Sequence, residues 1–325
     1  MPILVTGGAG YIGSQTVLDL TDAGEAVVVL DDLSTGFEAA VSRNARLVVG
    51  DVGDMTLVSR LIAEHNVDAI MHFAGSIVVP DSVADPLRYY RNNTSKTRAL
   101  IEAAVAGRVP HFIFSSTAAI YSCEGLRPVD EGGLIRPQSP YGRSKLMSEW
   151  MLEDVSRVHP ISYAVLRYFN VAGADPQRGI GQSTRGASHL IKAASEAAIG
   201  KRPFVEVFGT DYPTSDGTCV RDYIHVKDLA DAHRLALARL RNGVGNIIAN
   251  CGYGRGYSVL EVLHAVEQLS GKKLDIRKAA RRPGDPARLI ADPRVAISQL
   301  DWRPKFDSLE AIIGSALEWE LARSY

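Results

Sequence analysis

Tyr141-Gly-Arg-Ser-Lys145 places a phenol and an ammonium four residues apart, on one helical face and about one turn from each other. A free tyrosine titrates near ~10, too high for a base at neutral pH. A neighbouring lysine cation and a positively charged ring both favour the phenolate and lower that value. Such pairs also occur on ordinary solvated helix faces, so the spacing gains meaning only from its surroundings. Ser115-Ser116-Thr117 ends the preceding apolar strand and supplies a hydroxyl to share a substrate proton, and Pro140 suits the first position of the helix.

A second constellation opens the chain. Pro2-Ile-Leu-Val-Thr6 runs into Gly7-Gly8-Ala9-Gly10-Tyr11-Ile12-Gly13, which fits both G-x-G-x-x-G and G-x-x-G-x-x-G. The strand before it, and the amphipathic helix after it through Val17, Leu18 and Leu20, give the context in which such a turn cradles a pyrophosphate. A second strand, Ala26–Leu30, ends at Asp31-Asp32, followed by Leu33 and Ser34. An acid about 20 residues beyond the turn is placed to accept from the adenosine ribose. Asp31 also reads as a plain strand-end turn residue. A carboxylate repels a 2′-phosphate and no arginine follows at once, which favours NAD over NADP. Asp51 and Val52, after the strand at 47–49, fall at the adenine end. The two constellations together put a nicotinamide cofactor beside an acid–base tyrosine.

The elements that must position these groups alternate. Strands are expected at 2–6, 26–30, 46–49, 68–73, 111–115 and 161–167, with helices around 55–65, 86–106 and 142–158. Near-continuous apolar strands between helices predict an α/β fold with a doubly wound parallel sheet, whose ligands gather at the carboxyl ends of the strands. After Asn170 the texture changes: Gly173–Ser188 reads as a loop, with later strands at 204–208, 245–250 and 273–277. The expected division is an NAD-binding Rossmann domain over 1–170, with 224–252 returning to it, and a smaller α/β substrate domain over 171–325. With 325 residues and a net charge of −1, the composition argues against nucleic-acid or membrane-surface partners. Three widely spaced cysteines (123, 219, 251) suit a reduced cytoplasm, and no metal-ligand spacing is present. The core strand at the N-terminus leaves no room for a signal peptide, and no apolar run is long enough to span a bilayer.

These residues resemble the extended short-chain dehydrogenase/reductase family. Phe73-Ala-Gly75, Tyr89–Asn93, Leu166–Asn170, Phe208–Thr214, Asp216–Val226 and Arg281–Asp285 are similar to its UDP-galactose 4-epimerase branch, over essentially the whole chain. The resemblance implies that Tyr141 takes the proton of a UDP-sugar 4-hydroxyl while hydride passes to NAD, and that the 4-keto sugar then turns over and is reduced on its other face. By the same resemblance Thr117 orients that proton and Lys145 also holds the nicotinamide ribose. Gly7, Gly10, Tyr11, Ile12, Gly13, Phe73, Ala74, Gly75, Asn92 and Phe169 surround the cofactor. Asn170, His189, Leu190, Arg221, Arg282 and Asp285 meet the sugar nucleotide, the arginines as phosphate clamps. Without the surrounding motifs each arginine reads as a surface ion pair. A homodimer through helices near 90–106 and 142–158 is also implied.

Four positions depart from the family pattern. Ser76-Ile77 stands where a lysine often touches the cofactor, and His189 where an asparagine is usual. Ser122 replaces a glycine, and Leu289 a tyrosine that narrows the sugar pocket. Cys123 is given no chemistry, and His225 reads as a structural histidine. The rival substrates are UDP-pentoses and UDP-N-acetylhexosamines. Sugar 4,6-dehydration needs an acid pair after the active-site threonine, where this chain has Ala118-Ala119. A catalytically idle NAD sensor is the remaining alternative, since fold alone allows one.

Overall fold

Side chains alternate across a strand, and the first strand shows what that does here: Ile3 and Val5 enter one apolar cluster and Leu4 the other. Each cluster fills one face of a central sheet, so the strands are apolar on both sides. The computed structural model describes residues 1–122, 127–184, 187, 189–282 and 284–323. Cys123 and Pro283 lie outside these residues, as do 185, 186 and 188 of the expected loop.

The first half runs β1 (Ile3–Thr6), α1 (Tyr11–Asp22), β2 (Val27–Asp31), β3 (Arg46–Val49), α2 (Met55–His65), β4 (Ala69–His72), α3 (Val79–Ala84), α4 (Pro86–Tyr89), α5 (Lys96–Ala106), β5 (His111–Thr117), α6 (Pro140–Val158) and β6 (Ser162–Tyr168). Next come β7 (Asn170–Ala172), β8 (Ala174–Asp175), β9 (Ile180–Gly181), α7 (Leu190–Ala198), β10 (Val205–Phe208), β11 (Val220–Arg221), β12 (Tyr223–His225), α8 (Val226–Arg241) and β13 (Ile247–Cys251). The chain closes with β14 (Tyr257–Ser258), α9 (Val259–Ser270), β15 (Ile276–Ala279), β16 (Arg288–Leu289), α10 (Arg294–Leu300) and α11 (Leu309–Ala322).

Seven parallel strands form the main sheet in the order β13-β6-β5-β4-β1-β2-β3. The chain leaves β1 towards β2 and β3, then crosses to β4 on the other side, so the strand order reverses between β1 and β4. A crevice opens at such a point, outside the carboxyl ends. Residues of α1, α8 and α10 cover one face, and those of α2, α5 and α6 the other. A third cluster gathers α7, α9, α11 and β10 into a smaller apolar centre. Among the described residues no helix is long and apolar enough to cross a membrane.

The helix expected over 86–106 is interrupted. Tyr90–Ser95 winds as a wider π-turn between α4 and α5. A π-turn leaves carbonyls without their usual partners. Here hydroxyls supply them: Thr97 Oγ1 and Ser148 Oγ donate to the Asn93 carbonyl at 2.6 and 3.1 Å. The strand expected at 273–277 is shifted to Ile276–Ala279, where it pairs with β10. Inside the expected loop, β8 and β9 form a short antiparallel pair.

Candidate active site

The glycine turn is closed by its own backbone and by an acid. Gly7 has φ +73°, and the Gly10 N–H donates to the Gly7 carbonyl at 3.2 Å. A Cβ on Gly13 would sit 2.2 Å from the Gly7 oxygen, so only glycine lets α1 begin this close to β1. Gly10 caps α1 without any side-chain bond, and the first N–H groups of the helix, at Tyr11, Ile12 and Gly13, remain directed outward from its positive end. Asp31 Oδ2 accepts from the Ala9 N–H and Oδ1 from the Leu33 N–H, both at 2.9 Å. The carboxylate therefore braces the turn; burial raises its pKa, with these two bonds opposing. Asp32 Oδ1 accepts from the backbone and hydroxyl of Ser34. Asp51 pairs with Lys96 at 2.7 Å, a partner with no signal in the sequence, while Val52 is buried.

At the end of β4, the Phe73 and Ala74 N–H groups both donate to the Thr6 carbonyl, at 2.8 and 3.1 Å. A Cβ on Gly75 would lie 3.1 Å from Asn93 Oδ1 and 3.6 Å from Lys145 Nζ. Backbone, amide and ammonium thus converge there. Asn92, expected beside the cofactor, donates to Ser76 Oγ at 3.0 Å. Its buried neighbour Asn93 grips Ser76 from both sides, accepting from the N–H at 2.8 Å and donating to the carbonyl at 2.9 Å. Sequence reasoning missed Asn93, because the π-turn decides which asparagine faces inward.

Ser139 caps α6, accepting the Gly142 N–H at 3.2 Å, with Pro140 in the first turn. A Cβ on Gly142 would be 2.4 Å from the Ala119 carbonyl. That close approach brings α6 against the end of β5, where the Thr117 hydroxyl lies beside the Tyr141 phenol and favours its ionised form. The Ala119 N–H also donates to Thr117 Oγ1, at 3.1 Å. Lys145 donates to the Ser115 carbonyl at 3.0 Å, with Nζ 4.9 Å from the Phe114 ring centroid. Both side chains are buried. Burial pushes the Lys145 ammonium down to about 8, countered by the charge of Glu149. Burial pushes the Tyr141 phenol well above its ordinary value, with the Thr117 bond opposing. The expected lowering is therefore not present in the chain alone: Lys145 spends its proton on a carbonyl, and desolvation of the phenolate outweighs its field.

The other expected residues fall into two groups. Phe169 is buried against Leu146 and Tyr121, and Asn170 pairs with Tyr223 between β7 and β12. Arg221 reaches Asp285 at 3.4 Å and Arg282 stacks on Phe208 at 3.8 Å. A cleft lined by Tyr121, Arg136, Gln138 and Asp285 runs beside them. Leu289 stands opposite Arg221 in the β11–β16 pairing. Leu190 starts α7, and exposed His189 precedes it, capping the helix without a side-chain bond. Among the described residues no contact joins the His189 imidazole to Arg221 or Arg282. His225 is a satisfied structural group, bonded to Ser315 and to the Lys227 N–H.

A doubly wound sheet, a glycine turn opening on free helix N–H groups, and a buried Tyr–Lys pair touching a strand-end hydroxyl define a dinucleotide-dependent enzyme of the short-chain type. The chain belongs to the NAD dependent epimerase/dehydratase family, which matches residues 3–252. It is 52% identical over 318 residues to a UDP-glucose 4-epimerase of Azospirillum brasilense, covering 98% of this chain and 91% of that one. The UDP-glucose 4-epimerase of Brucella ovis, solved in complex with NAD, superposes with a TM-score of 0.94 at 42% identity over 97% of both chains. The enzyme of Stenotrophomonas maltophila, solved with NAD and formylated UDP-arabinopyranose, gives a TM-score of 0.95 at 39% identity, covering 99% and 98%.

Proposed function

We propose that this protein is a UDP-glucose 4-epimerase, interconverting UDP-galactose and UDP-glucose by transient oxidation at the sugar C4 with NAD. The observation that carries the reading is the buried Tyr141–Lys145 pair at the end of β5, with Lys145 donating to the Ser115 carbonyl at 3.0 Å, in a chain similar along its length to UDP-glucose 4-epimerases. The cradle fits the cofactor: Gly10, whose missing Cβ would meet only the Gly7 oxygen, at 3.3 Å, leaves the turn open on one side, and the N-terminus of α1 has no side-chain cap to compete with a pyrophosphate. Asp31, Asp32, Leu33 and Ser34 would take the adenosine ribose, Asp51 and Val52 the adenine, and Phe73–Gly75, Asn92, Lys145 and Phe169 the nicotinamide half. The dinucleotide, when bound, supplies the hydride acceptor and then the donor.

Tyr141 accepts the proton of the sugar 4-hydroxyl and returns it after inversion. Thr117 orients that proton, and Lys145 is the cation that makes the phenolate affordable below about pH 8. Arg221, Arg282 and Asp285 hold the UDP moiety, with Asn170, His189 and Leu190 around it. Residues 1–170, with 224–252, form the NAD-binding part, and 171–325 mainly the sugar-nucleotide part. We place the enzyme in the cytoplasm as a homodimer. Exposed Val83, Leu87 and Trp150, on the mutually packed α3, α4 and α6, support a partner on that face. Purified protein should interconvert the two sugar nucleotides without added reductant, and should release NAD on denaturation. Failure of the NAD-loaded protein on both sugars rejects the reading. Turnover of UDP-pentoses alone would favour the pentose reading instead.

A further inference from the structure

The stripe that carries Tyr141 and Lys145 continues one helical turn further, to Glu149. Its side chain is 4% exposed and faces Arg167, also 4% exposed, at 2.6 Å. The guanidinium grips both carboxylate oxygens, Nε lying 3.2 and 3.1 Å from them. Arg167 is itself held, donating to Tyr121 Oη at 2.8 Å and to the Glu131 carbonyl at 3.1 Å. Tyr121 in turn donates to Asn250 Oδ1 at 2.9 Å. Four groups from separate segments, Arg167, Tyr121, the Glu131 carbonyl and Asn250, thus form one hydrogen-bonded chain ending on a carboxylate that the proposed chemistry leaves unassigned. A buried ion pair is weak as a stabilising device, because desolvation offsets most of its attraction.

What Glu149 touches is informative. It accepts a short hydrogen bond from Ser116 Oγ, while Lys145 donates to the carbonyl of Ser115. The two side chains clamp consecutive residues of β5 immediately before Thr117. Other groups near the ammonium carry no opposing charge. His72, on β4, is kept neutral, its imidazole pushed down to about 3 by burial and by Lys145 itself. Tyr168, on β6, accepts from Ser115 Oγ at 3.0 Å, and burial pushes its phenol up. Tyr141, on α6, is likewise a neutral phenol in the chain alone.

We propose that Glu149 is a positioning residue for the epimerisation: from one turn beyond Lys145 it pins Ser116 beside the active hydroxyl, and its charge keeps the Lys145 ammonium protonated for Tyr141. The proposal rests on the epimerase reading above. Glu149→Gln removes the charge and keeps an acceptor for Ser116. In the NAD-loaded enzyme the alkaline limb of kcat should move to lower pH by about one pH unit, the lower end of the effect of one close charge. KM for UDP-galactose should stay within about 2-fold, since no substrate contact changes. Should that variant fail to fold, because Arg167 is left unpaired, Glu149→Gln/Arg167→Met removes both charges and should show the same direction of movement. Ser116→Ala leaves the charges alone; it should lower kcat with the limb unmoved.

A limb at the parent's pH in the folded charge variants overturns the proposal. So does an equal movement in Ser116→Ala, which would make the effect one of repacking. A readout free of sugar separates this from the function itself. Lys145→Met should stabilise the protein most at pH values below the folded value of the parent lysine, with the gain fading at higher pH, and in the Glu149→Gln/Arg167→Met background that gain should be larger and should begin to fade at lower pH. If the parent turns over no UDP-sugar, the epimerase reading falls, while these melting curves still decide the role of Glu149.

Discussion

Replacing Tyr141 by phenylalanine deletes one oxygen from a side chain that is 6% exposed. The ring keeps its packing, so the structural loss is at most one hydrogen bond, to Thr117. Thr117 still accepts the Ala119 N–H at 3.1 Å, so no partner is stranded. One such bond contributes ~1 kcal/mol to folding, which for a chain of this size moves Tm by only about 2 °C. Removing the acid–base group costs ~100-fold or more in turnover, equivalent to about 3 kcal/mol on the barrier. The two magnitudes separate the effects: a barrier change three times the folding change cannot come from lost protein. Turnover is followed by the appearance of UDP-glucose from UDP-galactose, and cofactor content by NAD released on denaturation. The variant should hold NAD as the parent does, because the glycine turn, Asp31 and Lys145 are untouched. A rate within a few-fold of the parent, in NAD-loaded Tyr141→Phe, would refute the assignment of the proton transfer to this phenol.

Gly13→Ala should lose NAD binding, since its Cβ would fall 2.2 Å from the Gly7 oxygen and reopen the turn; dialysis equilibrium reads this directly. Lys145→Met should abolish turnover yet raise Tm at neutral pH. The lysine's folded value of about 8 lies below its ordinary 10.5, so the unfolded chain binds the proton more tightly. The cost is full below pH 8 and disappears as pH climbs towards 10.5, so the gain in stability, about 3 kcal/mol at most, should fade over that window. Leu289→Tyr should depress turnover of UDP-N-acetylhexosamines more than of UDP-galactose, because the larger ring grows from the strand paired with Arg221; comparison of kcat/KM for the two substrates checks it.

The sheet was legible because its strands are buried on both faces and so read as continuous apolar runs. Val27–Leu30 and Ile70–Met71 carry no polar alternation to blur them. Motif residues were legible for a related reason: Gly13 and Gly142 are where two backbones touch, and no side chain could replace them. The π-turn was not. Its stability comes from hydroxyls at Thr97 and Ser148, one of them 55 residues away, so local periodicity still reads as plain helix. Lys96 has the same character, meaningful only because β3 delivers Asp51 to it. The chain alone does not depress the Tyr141 pKa, because spacing reports neighbours and says nothing of desolvation.

The coupling of the two halves is the feature least visible in sequence, and it rests on Asp222. This carboxylate, fully buried between Arg221 and Tyr223, accepts the N–H groups of Tyr253, Gly254 and Ala291 at 3.0, 2.9 and 3.2 Å. Burial pushes its pKa up to about 7, with those three bonds opposing. Its own carbonyl accepts the Asn170 N–H at 3.0 Å. A single residue therefore joins the segment after β13 in the main sheet, the strand end at Leu289 and Ala291, and Asn170 after β6. Arg221, next in the chain, cannot shift without moving these contacts, and its partner Asp285 lies beside the Tyr121 cleft. The arginine expected to clamp phosphate is thus fixed relative to the sheet that fixes Tyr141. Rigid spacing of this kind is what a sugar must find if its C4 is to face the same phenol twice, once from each side of the ring.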